Sequence, residues 1–531
     1  MRRSAPLVAL LCGLVAAQGA AARGFAPVPQ RLGGSPNTIV GVRPGAGFMA
    51  APVLGRAGGV AIAPSAGLWE VPTHALRRTL PALRSARLVQ LVEPVHPLRR
   101  EAARVIPDPL SPEEWWRAHV GADAAEPPGP GVPLTIVDTG VDLSHPEFAG
   151  RPNTTALNQQ RVTDTEDDFH GTAVASVAAA PANGVGTVGV YPQAVLRVFD
   201  ADLQRQLDDA QLIRGIDEAA SSGRGVINVS LGGPDYSPAL QLAIDAAFRR
   251  GSLIVAASGN TGDTGNARFY PANMSHVLTV AATDWNDDAA SFSSSSVGVD
   301  LAAPGVDIPA AIPTSYYPAG FQLVAGTSFA APIVAGAAAW VWTVRSSLDN
   351  TQLFDLMRWS ARDVGARGFD IGTGFGVVDI PSALSRTPPL PDPSEPNDDV
   401  GLVKPGALFA SGMPPLTTAT RGRASLRARL DVADDPDDVY RVWIPAHRRV
   451  TITVRGNANV DLEAWKPGTR TIGETGAASK RDLAARSQKT GTRADSVVVA
   501  NATSRGAFYY ADFFPGRGVG DADYRLTVAT R

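Results

Sequence analysis

Apolar and polar positions recur with different periods in different stretches of this chain, and the changes of period divide it. From residue 23 to about 105, short β-branched runs at 38–42, 60–63, 68–71 and 88–93 flank a helical stripe through Leu76, Leu80 and Leu83. This pattern predicts a small α/β unit. From about 107 to 386, apolar, β-branched runs such as 226–230 and 253–257 alternate with helical stripes, one through Leu212, Ile213, Ile216 and Ala220, another through Leu240, Ala243, Ile244, Ala247 and Phe248. Strands without a polar face, separated by helices, predict a doubly wound, mainly parallel sheet covered on both sides. Residues 328–339 are apolar all round and predict a buried central helix in which Pro332 belongs to the first turn. After a Pro-rich stretch at 387–393, read as a stiff extended linker, the period becomes two: runs at 439–444, 450–454, 460–465, 496–499 and 524–528 predict a β-sandwich over 395–531.

At 531 residues the chain suits several domains, and a net charge of −3 offers no basic surface for nucleic acid. Arg2-Arg3, the apolar run from Leu7 to Ala17 and Ala20-Ala21-Ala22 read as a secretory signal over 1–22, too short to span a bilayer, so export without membrane anchoring is expected. Cys12, the only cysteine, lies inside that segment, and the bulky Leu11 before it does not suit a lipoprotein signal. The mature protein is therefore expected to do without disulfides.

Three motifs carry the chemistry: Asp138-Thr139-Gly140, His170-Gly171-Thr172 and Gly326-Thr327-Ser328-Phe329-Ala330-Ala331-Pro332. A serine hydroxyl needs an imidazole to take its proton, and the imidazole needs a carboxylate to fix its tautomer and stabilise its charged form. A second Asp-Thr-Gly at Asp263-Thr264-Gly265 raises the rival of a paired-carboxylate site. Its surroundings argue against that: the first copy follows the apolar strand 134–137, whereas the second follows a polar loop, and alternating strands and helices do not suit an all-β aspartic protease.

The order Asp, His, Ser and the Gly-Thr-Ser-Phe-Ala-Ala-Pro context resemble the subtilase family of serine endopeptidases. The resemblance implies Asp138, His170 and Ser328 as triad and Asn260, in Ser258-Gly259-Asn260, as side-chain oxyanion donor. It implies that Ser230, Leu231 and Gly232 pair with an extended peptide, and that Phe269, before Tyr270-Pro271, floors the primary specificity pocket, favouring small or medium P1 side chains. Two positions depart from the usual pattern, Ala173 and Ile333, where many members carry histidine. The 23–106 unit resembles a prodomain that assists folding and is removed by the enzyme itself, and Glu395-Pro396-Asn397-Asp398 opens a region like the prepeptidase C-terminal domain. A monomeric, secreted enzyme acting on proteins or peptides is expected, with no cofactor needed for the chemistry. Structural calcium has three candidate places: residues 164–168, Asp284 with Asp287 and Asp288, and Asp434, Asp435, Asp437 and Asp438, each of which reads first as solvated acidic surface. The contrasting reading is an inactive subtilase fold serving as a binding module; it gives no chemical reason for Asp138, His170, Asn260 and Ser328 to occur together.

Overall fold

The computed structural model describes residues 36–43, 46–63, 68–94, 108–161, 169–202 and 207–531. The signal-like segment with Cys12 and the acidic stretch 164–168 lie outside these. Contacts divide the chain into two units, Met1–Ala103 and Arg104–Arg531.

The first unit runs β1 (Asn37–Val42), α1 (Gly47–Arg56), β2 (Val60–Ala63), β3 (Leu68–Pro72), α2 (Thr73–Ser85) and β4 (Val89–Pro94). Its antiparallel sheet has the order β2-β3-β1-β4, a split βαβ arrangement. The α2 stripe buries Leu76, Leu80 and Leu83 as their spacing predicts. Helix α1 is not foreseen by the pattern, because it contains Pro52 and buries only Ala50 and Leu54, too narrow a stripe to register.

The second unit begins with α3 (Trp115–His119), β5 (Pro133–Asp138), β6 (Thr154–Ala156), α4 (His170–Ala179), β7 (Val195–Asp200), α5 (Asp209–Ser221), β8 (Val226–Val229), α6 (Pro238–Arg249), β9 (Leu253–Ala257), β10 (Val277–Thr283) and β11 (Leu301–Pro304). The hairpin β12 (Ile308–Ala311) and β13 (Phe321–Val324) precedes α7 (Thr327–Val344), α8 (Asn350–Ser360) and α9 (Ile380–Ser385). Seven strands form one parallel sheet in the order β11-β10-β9-β8-β5-β7-β6. Strand β5 is the switch point, since the chain fills the β7 side before β8 and then builds outward on the other flank. Crevices open at the carboxyl end of such a strand, and Asp138 is the last residue of β5. β8, β9 and β10 are buried throughout, which is why their sequences show no polar alternation. α7 threads the core: every residue from Thr327 to Trp342 is buried except Ser328. Among the described residues it is the helix long and apolar enough to cross a bilayer, and 83% of it is buried inside the fold.

The chain continues through α10 (Val400–Val403), β14 (Arg423–Asp431), β15 (Asp438–Ile444), β16 (Arg449–Gly456), β17 (Val460–Trp465), α11 (Gly476–Asp482), β18 (Leu483–Ser487), β19 (Asp495–Ala500), β20 (Ala507–Pro515) and β21 (Asp521–Thr530). Two antiparallel sheets, β14-β21-β16-β19 and β15-β20-β17-β18, face each other across a core that includes Leu430, Val442, Ile452, Leu462, Phe513 and Leu526. This is the predicted sandwich. β14 escapes the sequence pattern because its outward positions are Arg423, Ser425, Arg427 and Arg429, which make a strand look like a polar tract.

Two expectations change at the joint between sheet domain and sandwich. The Pro-rich segment is docked rather than a free spacer: the Gln352 amide donates to the Pro389 carbonyl at 2.8 Å and the Asp392 N–H to Thr351 Oγ1 at 3.0 Å. The acidic stretch 434–438 is not a solvated surface either. Asp438 is 0% exposed, and Asp434 accepts a hydrogen bond from the His276 N–H at 2.9 Å. Composition reports that such residues are charged; only the neighbouring domain decides that they face inward.

Candidate active site

β5 delivers Asp138, fully buried, to the end of the sheet, and His170 opens α4 beside it. Nδ1 of His170 lies 2.7 Å from Asp138 Oδ1, which also accepts the Thr139 N–H at 2.8 Å. Glycine makes this approach possible: a Cβ on Gly171 would stand 2.2 Å from the Gly140 carbonyl oxygen. Gly171 N–H in turn donates to Thr139 Oγ1 at 3.1 Å, so the first two motifs lock through their small residues. Burial disfavours the imidazolium, but the charge and hydrogen bond of Asp138 outweigh it and hold the His170 pKa above its usual value of 6.5. The His170 side chain is 23% exposed, and no described residue occupies its Nε2.

Ser328 stands in the first turn of α7, where unpaired N–H groups and the helix dipole favour negative charge. Pro332 is not in that turn but beyond it. A proline there cannot donate to the carbonyl four residues back, that of Ser328. The structure fills the gap from β8: Ser230 Oγ donates to the Ser328 carbonyl at 2.8 Å, and Asn228 Nδ2 holds Ser230 Oγ at 3.0 Å. Ser328 Oγ donates back to the Ser230 carbonyl at 3.3 Å, rather than to His170. Serine–base contacts are commonly loose without substrate. The Ser230 side chain is therefore buried support for the Ser328 turn, and only its backbone and its neighbours remain for an incoming peptide.

Asn260 follows β9. Its Oδ1 accepts both the N–H and the Oγ1 hydrogen of Thr327, each at 2.9 Å. Two donors on one atom fix the amide orientation, so Nδ2 is the free end and can donate. A Cβ on Gly326, whose φ is 151°, would stand 3.3 Å from Nδ2. Thr327 sits inside the serine motif, but its role in holding Asn260 is a contact with a residue 67 positions away, which the motif alone does not reveal. Together these groups can take a proton from a hydroxyl, stabilise the imidazolium formed, and donate to an oxyanion: the requirements of acyl transfer.

The segment after β8 pairs with the Phe269-Tyr270 segment: Gly233 and Tyr270 exchange backbone hydrogen bonds of 2.9 and 2.8 Å. Leu231, Gly232, Gly233 and Tyr270 line a cleft of about 450 Å³. Phe269 is half-buried, its ring 2.6 Å from where a Gly232 Cβ would be and its Cβ 2.9 Å from that of Gly259. It thus lies between the segment that follows Ser230 and the one leading to Asn260. Asp263 is exposed, as its polar loop predicts. Asp284 accepts N–H groups of its own turn, and Asp287 pairs with Arg362 at 2.7 Å and His119 at 3.4 Å.

Residues 129–376 match the subtilase family. Subtilisin BL of Lederbergia lenta is 35% identical over 51% of this chain and 97% of its own, and subtilisin E of Bacillus subtilis is 34% identical over 48% and 66%. Among solved structures, fervidolysin from Fervidobacterium pennivorans, a keratinolytic enzyme related to subtilisin, matches with a TM-score of 0.50 at 21% identity, over 87% of this chain and 84% of that one.

Proposed function

The chain belongs to the subtilase family and is a serine endopeptidase acting on protein or peptide substrates, and we propose that Asp138, His170 and Ser328 are its triad, with Asn260 as oxyanion donor. The observation that carries this reading is the 2.7 Å Asp138–His170 bond, with Nε2 of the ring left open on the other side. His170 Nε2 takes the Ser328 proton as Oγ attacks the scissile carbonyl. Asn260 Nδ2 and the Ser328 N–H receive the negative charge on the carbonyl oxygen. The leaving amine departs with the proton, and water, activated by the same imidazole, releases the acyl group.

The peptide lies along Leu231-Gly232-Gly233 as an added strand, and Phe269 makes the primary pocket shallow, so Ala or Leu at P1 is favoured over Phe or Tyr. The enzyme is made as a secreted precursor whose N-terminal split βαβ unit assists folding and is then cut off by Ser328 itself. A fluorophosphonate probe tests the assignment. Wild type is labelled at Ser328, whereas Ser328→Ala is unlabelled and, expressed without other proteases, keeps its N-terminal unit. A wild-type protein that resists the probe overturns the triad, and a normally trimmed Ser328→Ala overturns self-processing.

A further inference from the structure

The outer face of one sandwich sheet carries positive charge that the fold does not use. In the sheet β14-β21-β16-β19, register sets Arg427 opposite Arg525 and Arg525 opposite Arg455, so three guanidinium groups share one row across three strands. All three residues are exposed, and among the described residues none of them forms an ion pair. Like charges directly opposite one another destabilise a sheet. Two residues along, the chain avoids that cost: Arg429 faces Asp523 and pairs with it at 2.9 Å, and with Asp521 at 3.0 Å. Those two acids are thereby spent, and no other carboxylate stands at an outward position of β21, β16 or β19.

Edge protection does not account for the row. Charged side chains keep edge strands from pairing with other chains, but β21 and β16 are the central strands of this sheet, and Arg525 and Arg455 stand on them. Arginines kept at a cost to the fold and without internal partners fit a surface whose counter-charges come from outside. The row spans two strand spacings of about 4.8 Å, roughly 10 Å, so it meets a chain of repeated anions better than a single one. Planar guanidinium forks suit oxyanions such as carboxylate. The neighbouring row is all hydroxyl: Ser425 faces Thr527, Thr527 faces Thr453, and Thr453 faces Ser496, the last pair bonded at 2.8 Å. Hydroxyls both donate and accept, which matches a polyhydroxylated chain. The outward positions of these strands carry no aromatic ring. Single-stranded nucleic acid stacks its bases on such rings, and membrane-surface elements bury large apolar side chains, so this face serves neither.

We propose that this face docks an anionic polysaccharide, a sugar chain bearing carboxylates or sulfates, laid across the strands along Arg427, Arg525 and Arg455 with its hydroxyls over the row from Ser425 to Ser496. The acidic groups of the sugar supply the counter-charge that the sheet withholds from its central arginines. Docking there tethers the chain through its sandwich to an acidic matrix.

The full chain, blocked with a sulfonyl fluoride against autolysis, is titrated at low salt with alginate, heparin, neutral dextran and a DNA duplex, and binding is read by calorimetry. Alginate or heparin should bind and dextran should not; alginate alone assigns carboxylate, heparin alone assigns sulfate, and either supports the proposal. Arg427→Gln, Arg455→Gln and Arg525→Gln together should weaken that binding by about tenfold or more, the combined effect of three exposed ion pairs. A second triple variant, Arg493→Gln with Arg505→Gln and Arg517→Gln, removes the same charge from exposed loops of the sandwich and should keep wild-type affinity. Without ligand, the row variant should melt no lower than wild type, because its repulsion is relieved. A lower Tm would make the row structural and overturn the proposal. So would failure of both acidic glycans to bind, binding of dextran as tight as theirs, equal loss in the two triple variants, or DNA binding tighter than either glycan. Binding and Tm are read without any turnover, so the result is independent of the triad assignment.

Discussion

His170 and His276, two of the described histidines that hold a carboxylate through Nδ1, have opposite fates. His170 binds Asp138 at 2.7 Å, while its side chain is 23% exposed and Nε2 is open. His276 binds Asp245 at 3.2 Å, but its side chain is 3% exposed and Glu395 takes Nε2 at 3.1 Å. Both rings are pushed toward the charged form. Burial opposes this in each, and carboxylates overcome it: one for His170, several including Asp398 for His276. The difference teaches that a carboxylate–imidazole pair acts as a base only when its second nitrogen faces a place that substrate can reach. Closed on both sides, the same pair is a cross-link.

The comparison can be broken at its carboxylate first. Asp138→Asn should lower kcat by about 10⁴, the magnitude that replacing this residue of a Ser-His-Asp triad produces, because the ring loses its favoured tautomer. The pH profile sharpens the point. The base must be neutral, so activity rises with pH through the His170 pKa, and the acidic limb of the wild type should lie above 6.5 because Asp138 raises it. In Asp138→Asn that limb should move down. A limb that stays in place would assign it to another group.

Asn260→Leu comes next, with kcat lower by about 10²–10³ and KM little changed, on the scale known for the equivalent donor of subtilisin. A raised KM at constant kcat would make Asn260 a ground-state binder. The smallest effect on catalysis is expected at the second pair. His276→Gln should cost about 3 kcal/mol of stability by leaving buried carboxylates uncompensated, visible as a lower urea midpoint, with kcat per folded molecule unchanged. Loss of kcat without loss of stability would mean that the joint communicates with the Ser328 turn.

Much of the fold was legible beforehand because it is a matter of period. The parallel strands β8 and β9, the stripes of α5 and α6 and the alternation in β15 to β17 follow from which positions must be apolar. Elements whose burial is narrow or masked were not, as α1 with its internal Pro52 and β14 with its arginines demonstrate. Within the site, motif identity pointed to Asp138, His170, Asn260 and Ser328. It did not point to Thr327 orienting the Asn260 amide, nor to Ser230 supplying the hydrogen bond that Pro332 removes, since both are contacts between segments far apart in the chain.

By itself, then, the sequence determined the elements, their class of layering and the residues able to do acyl transfer, because hydrophobic period and side-chain chemistry are local properties. Tertiary structure alone decided which of two histidine–carboxylate pairs is open, why a proline can sit beyond the first turn of α7, and that a Pro-rich connector is docked rather than free and an acidic run faces its neighbours rather than solvent alone. The physical reason is that pKa, burial and hydrogen-bond satisfaction depend on what stands across a gap, and in this chain the partner is 98 residues away for Ser230 and Ser328, and in another domain for His276.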